Sequence, residues 1–453
     1  MGHYENSLLE SVDRSVVTNG SPPPDVLSTG ANLRVPKLHR IDLLMAPSKS
    51  ELIKLIAEAS QLGPQVINGR SVVLRLLRVS DAAQWRRIRL RDREFNEPYA
   101  PSSPLEWEVR HSPEEWVRRC LALRKGQKAG RSVPFAIEVD GIFAGECAIT
   151  WSEIGTPVGE LSVWLDSHVA RGGVAKLATA MLADFGFDVL GMDVITAATG
   201  TANLPATRAS EALGMKHEAT MDEFFDAGGE RKPYNFWTLL RADKPEGGFA
   251  KRAIDRVKPA APTEAVEVDS SGGPSAFAVA RYTAKFNYEL LAHSVLQKIQ
   301  RSPKVARGPK ATAAGNVSLR NVRKSDSGVL SAIAPDSDPE LALAIEVDGN
   351  LVGQTWLRLI SGLSAEFGLA TDSAATNIEK AGAELMVDYA FEVGCERIWA
   401  LVVVGDERMR RLVEHLGMVH EGTLTQYRAV GGIRKDHELW AITKTRYSNT
   451  RTT

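Results

Sequence analysis

Read for hydrophobic and polar spacing, the chain divides into regular stretches separated by unpatterned ones. Ser48 to Leu62 (SKSELIKLIAEASQL) sets apolar residues at helical intervals and runs into Gly63-Pro64, a cap and a stop, so it predicts a short amphipathic helix. From Val72 the pattern turns β-rich, and a helix is expected to start at the Ser80-Asp81 cap signal. The apolar strand that includes Ala136 to Val139, the Asp140-Gly141 turn and the strand beyond it read as a hairpin. Glu160 to Leu165 is a further strand, Asp166 to Gly173 a glycine loop, and Val174 to about Val189 a helix. Met1 to Val35 and Lys244 to Pro274 hold neither period and carry too little apolar surface to offset the entropy of ordering. They read as a disordered tail and the start of a linker. One helical pattern follows, YELLAHSVLQKIQ from Tyr288 to Gln300, and then a second loose stretch from Arg301 to Gly315.

The chain repeats itself. Ala136 to Gly141 (AIEVDG) recurs letter for letter as Ala344 to Gly349, and both copies go on to a second glycine, Gly145 and Gly353. In the same order VVLRLLRVSD (Val72 to Asp81) matches VSLRNVRKSD (Val317 to Asp326), LGMKHE (Leu213 to Glu218) matches LGMVHE (Leu416 to Glu421), and GGERK matches GGIRK. Colinear matches of this kind are what duplication of a domain of about 130–170 residues leaves. The expected organisation is a tail over 1–35, an extension with a short helix over 36–69, a first domain over 70–243, a linker with one helix over 244–315 and a second domain over 316–453.

Composition narrows the function. Lys plus Arg number 55 against 56 Asp plus Glu, a formal net charge of −1, so no global basic field draws in nucleic acid. The three cysteines, Cys120, Cys147 and Cys395, form no CxxC and leave one over after any pairing. A disulfide framework and a cysteine zinc site are therefore not expected, no metal is called for, and a reducing cytoplasm fits. No apolar run approaches the roughly 18–20 residues that cross a bilayer, and the opening lacks a signal-peptide core, so neither membrane insertion nor export is expected.

The candidate chemistry lies in Ala170-Arg171-Gly172-Gly173-Val174-Ala175. Placed between a strand and a helix, adjacent glycines let a ligand approach the backbone while the first helical N–H groups stay unpaired, an arrangement suited to phosphate. It is neither a Walker loop nor a GxGxxG dinucleotide turn. It resembles the GNAT acyl-CoA N-acyltransferase superfamily, whose loop reads Q/R-x-x-G-x-G/A: Gly173 and Ala175 take the last two marked positions, while Ala170 departs from the first. Asn203 to Met215 is similar to that superfamily's N-x-x-S-x7-G-F segment, with Ala206 in place of Ser. The stretches LRLLRVSDAAQW, VWLDSHVARGGVA and ALGMKHEATM are most similar to the RimJ/RimL-like branch, which acetylates protein N-termini, notably of ribosomal proteins.

The resemblance implies an α/β (α+β) fold of two tandem GNAT domains, each a mixed, mostly antiparallel sheet with helices on both faces. It implies direct acetyl transfer from acetyl-CoA to a primary amine, without a metal. Backbone groups near Trp164 and Leu165 would meet the pantetheine, the amides of Arg171, Gly172, Gly173, Val174 and Ala175 the pyrophosphate, and Asn203 would touch the cofactor or fix the following helix. Glu160 is the favoured base, because a partly desolvated carboxylate on a core strand has its pKa raised toward neutrality. Glu223 resembles the glutamate used in the ribosomal-protein branch, and Ser210 stands where some members place a tyrosine acid. His168 and the shared His217 and His420 read as solvated or structural.

Aligned on Asp166 and Asp372, the second copy carries Glu379 where the first has Gly173, and Asp406 where the first has Asn203. A carboxylate about 4 Å from a phosphate costs on the order of 4 kcal/mol at an effective dielectric near 20, so the second copy is expected to be silent. It is expected to pack on the first as a pseudo-dimer, with homo-oligomerisation left open. The leading function is acetylation of a protein N-terminus or other primary amine. The alternatives are a small-molecule amine acetyltransferase and a non-catalytic acyl-CoA-binding regulator.

Overall fold

The computed structural model describes residues 49–151, 156–227, 230–257, 273–299, 305–326, 330, 341–361, 363–372 and 376–451. Ser132 to Val139 is nearly unbroken apolar sequence, the pattern of a strand covered on both faces. It forms β3 (Ser132–Val139), in which all but Glu138 are buried. Asp140 (φ 53°) and Gly141 (φ 82°) turn it into β4 (Ile142–Thr150), using the left-handed pair that a two-residue hairpin needs. Asp348 (φ 47°) and Gly349 (φ 84°) repeat the device between β11 (Leu341–Val347) and β12 (Asn350–Ser361).

The remaining strands of the first half are β1 (Gln61–Ile67), β2 (Arg70–Arg75), β5 (Val158–Leu165), β6 (Val194–Gly200), β7 (Lys216–Ala227) and β8 (Glu230–Leu240). Those of the second are β9 (Ala306–Thr312), β10 (Gly315–Asn321), β13 (Ser364–Thr371), β14 (Arg397–Val403), β15 (Val419–Val430) and β16 (Ile433–Thr443). All lie in one sheet of order β1-β2-β3-β4-β5-β6-β8-β7-β15-β16-β14-β13-β12-β11-β10-β9. Its pairings are antiparallel except β5–β6 and β13–β14. Helix α6 (Val174–Asp188) buries Leu177, Leu182 and Phe185 against one face of the first half. On the other face α2 (Ala82–Arg91) and α5 (Pro113–Lys128) pack Trp85, Ile88, Trp116 and Cys120 onto Ala136 and Phe143. The α/β class, with its mostly antiparallel sheet and helices on both faces, is therefore as the sequence implies.

The halves meet where Ala219 of β7 pairs with Gly422 of β15. A Cβ on Gly422 would stand 2.2 Å from the Glu218 carbonyl oxygen, so the crossing requires glycine. The flanking contacts are reciprocal: Asp222 N donates to Glu421 Oε1 (3.1 Å) and Thr425 N to Glu218 Oε2 (2.9 Å). Because these residues hold matching places in β7 and β15, the exchange marks a local pseudo-two-fold axis. Met221 and Tyr234 pack with Leu424 and Leu439 beside it.

Three expectations differ from the structure. The helix expected over Ser48 to Leu62 ends earlier, as α1 (Lys49–Glu58), and Gly63-Pro64 lies inside β1 at a register shift instead of capping a helix. The first half thus begins its sheet at Gln61, not at residue 70. The linker is structured where described: α8 (Gly248–Asp255) buries Phe249 and Ala253, and Asp184 accepts the Phe249 and Ala250 amides at 2.8 and 2.9 Å. The helix around Tyr288 starts earlier, as α9 (Ala276–Ile299), and Arg301 to Gly315 contributes β9, so the second half begins at Ala306. Residues 1–48, 258–272 and 300–304, with all of the expected tail and part of the expected linker, lie outside the described residues. Among the described residues no helix is long and apolar enough to cross a membrane.

Candidate active site

Strands β5 and β6 pair over three steps, Val158–Val194, Gly159–Ile195 and Glu160–Thr196, and then separate. Beyond Glu160 the edge of β5 facing β6 has no ladder partner, leaving backbone donors and acceptors open to a ligand. The side chains alternate: Leu161, Val163 and Leu165 enter the core with α6, while Glu160, Ser162 and Trp164 face the other side. Trp164 is engaged there, donating Nε1–H to Glu146 Oε1 at 3.0 Å and lying 5.0 Å from the Arg89 guanidinium. Arg89 is held between Trp164 and Trp107, and burial lowers its pKa to about 10.

After Leu165 the chain is pinned at its turn. Asp166 accepts from Arg91 Nη2 at 2.6 Å, and Asp92 accepts from Ser167 N and Oγ at 3.0 and 2.9 Å. A short 3-10 turn over Ala170–Gly172 leads to Gly173 (φ 82°, ψ 5°), where α6 starts. At this φ a side chain is strained, and a Cβ would also meet Ile67 and Val257 at 3.0 Å. No side chain caps α6, whereas Ser112 caps α5 and Asn203 caps α7 (Leu204–Leu213). The first-turn amides of Val174, Ala175 and Lys176 therefore remain available at the positive end of the helix dipole. Lys176 has its pKa lowered by burial and then by Arg252 and Arg256, two cations contributed by α8 and its C-cap. Open amides, dipole and cations together fit a diphosphate.

Glu160 stands at the last parallel pair before the strands part. Its side chain is exposed and lines a chamber of about 70 Å³ whose far wall comes from the second half: Trp399, Leu424, Tyr427 and Arg428. Surrounding protein pushes the Glu160 carboxyl pKa up. Among the described residues no hydrogen bond or ion pair reaches that carboxylate.

The other expected site residues are dispersed. Glu223 (φ 46°) sits in the bulge of β7 and faces an open groove with Arg446 and Asn449, although its neighbour Phe224 does line the chamber. Ser210 is buried on α7, outside the chamber lining. Asn203 acts on its own helix, accepting from Ala206 N at 3.1 Å. Asn203→Ala is expected to cost about 1 kcal/mol by denaturant titration, and Asn203→Asp much less. Asp406 already performs the same capping on Met409 N (3.0 Å) in α11 (Glu407–His415) of the second half.

Glu366 matches Glu160, being third in the parallel triple Ser364–Arg397, Ala365–Ile398, Glu366–Trp399. It is fully engaged: Arg358 Nη1 donates to Oε2 at 3.1 Å, and Arg428 donates to Oε1 at 2.5 Å and Oε2 at 3.0 Å. The first-half counterparts of those arginines are Thr150 and Phe225, neither charged. The loop differs too. Helix α10 (Thr376–Glu392) ends on Val393 N to Tyr389 O as α6 ends on Val189 N to Phe185 O, and counting back from these bonds puts Glu379 opposite Ala175. This corrects by two residues the alignment to Gly173; the loop before α10 is shorter, which sequence matching from the strand end cannot detect. Glu379 is buried in the first turn of α10, accepts from Thr371 Oγ1 at 2.9 Å and is ion-paired with Arg408. Side chains of the chain itself thus fill the place that stays open above α6.

Residues 71–216 match the acetyltransferase (GNAT) domain family, and this part of the chain belongs to it. Among solved structures the chain is similar to Mycobacterium smegmatis RimJ in complex with CoA-disulfide, at 29% identity and TM-score 0.42, over 43% of this chain and 94% of that one. It is similar also to the ribosomal-protein-S5-alanine acetyltransferase of Vibrio fischeri (21%, TM-score 0.35, over 38% and 96%). A third is RimL, a ribosomal L7/L12 alpha-N-protein acetyltransferase, in complex with coenzyme A (12%, TM-score 0.35, over 41% and 100%). No curated protein matches the chain.

Proposed function

We propose that the chain is an acetyl-CoA-dependent N-acetyltransferase acting on a primary amine, a protein N-terminus in the leading reading, with its active site in the first half. The carrying observation is the coincidence, at one opening, of an unpaired strand edge, an uncapped glycine-led helix and an unpartnered carboxylate, its pKa raised by desolvation, at the strands' parting point. The diphosphate of acetyl-CoA would lie on the Gly173 to Lys176 amides and the pantetheine along β5. The amine nitrogen attacks the thioester carbonyl as Glu160 takes its proton, the C–S bond breaks, and the thiolate leaves to be protonated from solvent.

In the same reading the second half is a degenerate GNAT domain. Its carboxylate Glu366 is neutralised by two guanidinium groups and its phosphate place is filled by Glu379 and Arg408. Titration calorimetry of the full chain is expected to return one acetyl-CoA site per chain; two equal sites would contradict this. The three cysteines are buried and unpaired.

The substrate is tested by incubating the full chain with acetyl-CoA, peptides and small amines and locating the acetyl group by mass spectrometry. Label on a peptide α-amine supports the N-terminal reading. Label on small amines alone moves the protein to metabolite acetylation, and binding without transfer makes it a regulator.

A further inference from the structure

We propose that Tyr427, on the second half, is a substrate-contacting residue of the first half's active site, closing the chamber in which the amine meets Glu160 and restricting the carbon beside that amine to a small substituent. The inference rests on the reading of Glu160 as the base.

The chamber is composite. Its floor is Glu160, Thr196 and Ala198 on the parting strands, and its roof includes Trp399 and Tyr427. Tyr427 packs edge-on against Phe236 at a centroid separation of 6.1 Å, which holds its ring over the first half's sheet. Among the described residues the Tyr427 hydroxyl has no hydrogen-bond partner, so Glu160 and Tyr427 are two polar groups facing one small space without partners of their own. A bound amine or its neighbouring carbonyl would give that hydroxyl a partner.

The strand segment carrying Tyr427 is fixed by its neighbour. Arg428 is bidentate to Glu366, and Glu366 is tied in turn to Arg358. The carboxylate that matches the base therefore serves, in the second half, to brace the wall opposite Glu160. The asymmetry follows the same line: the residue matching Tyr427 in β7 is Phe224, so a hydroxyl is present on the wall contributed to Glu160's chamber and absent from the strand of the half that bears Glu160. At about 70 Å³ the space is half of the roughly 150 Å³ that accepts a benzene ring, so it takes a methyl-sized group more readily than an aromatic one.

The test uses the full chain with peptides that differ in the first residue, from glycine and alanine to leucine and phenylalanine, measuring kcat/KM together with acetyl-CoA affinity and melting temperature. Tyr427→Ala is expected to raise kcat/KM for leucine and phenylalanine relative to alanine by about tenfold or more, and Tyr427→Trp to lower it for alanine by a similar factor, with acetyl-CoA affinity unchanged in both. An unaltered preference in both variants, while Glu160→Gln still abolishes transfer, overturns the role of Tyr427. Full transfer by Glu160→Gln overturns instead the reading on which it rests.

Discussion

Glu160→Gln lowers kcat by about 10²–10⁴ while leaving acetyl-CoA affinity intact, because it removes a proton acceptor and no cofactor contact. The parent carries a further signature. The base must be ionised, and burial raises its pKa above the ordinary glutamate value of 4.5. On the acid side kcat/KM therefore falls as pH drops through a value above that figure, and the limb disappears in the variant. Stability has the opposite sign. The folded chain favours the neutral acid, so this group's contribution is fully present below its unfolded pKa and is lost as pH rises through the folded one. Glu160→Gln removes that loss, and at neutral pH it is expected to melt no lower than the parent. An inactive variant with undiminished stability separates a catalytic role from a structural one.

Ala175→Glu weakens acetyl-CoA by about a thousandfold. It copies into α6 the carboxylate that Glu379 provides in α10, at a position inside the first helical turn. About 4 Å from a phosphate, a carboxylate costs on the order of 4 kcal/mol at an effective dielectric near 20, which is a thousandfold in affinity. An acidic residue in the first turn favours the helix dipole, so the fold is expected to survive. Gly173→Glu would not separate the effects, because φ of 82° and the contacts with Ile67 and Val257 add backbone and packing strain. Titration calorimetry on both proteins reads the loss directly.

Much of this fold was legible in sequence because its signals are local. The Asp-Gly hairpins, the glycine at φ 82° before α6 and the Asn203 cap each need particular residues at particular places. Edge strands were not legible: β1 runs through Gly63-Pro64, and β9 (ARGPKAT) has too few apolar residues to show a period of two. Glu160 could be singled out as a carboxylate entering a core strand. Its chamber could not, since Tyr427 lies far along the chain and reaches it through a pairing of β7 with β15 that spans one residue on each strand. Likewise Arg252 and Arg256 fell in sequence that reads as linker, yet α8 brings them to Lys176 at the start of α6.

Release of free thiol from acetyl-CoA by the full chain, with N-terminal peptides and small primary amines, run side by side on the parent and Ala175→Glu, decides whether acetyl transfer occurs at α6 and Glu160. Amine-dependent release by the parent and its loss in the variant is the predicted result. Equal release by both proteins, or a parent whose melting temperature acetyl-CoA leaves unmoved, would contradict an active site built on α6 and Glu160.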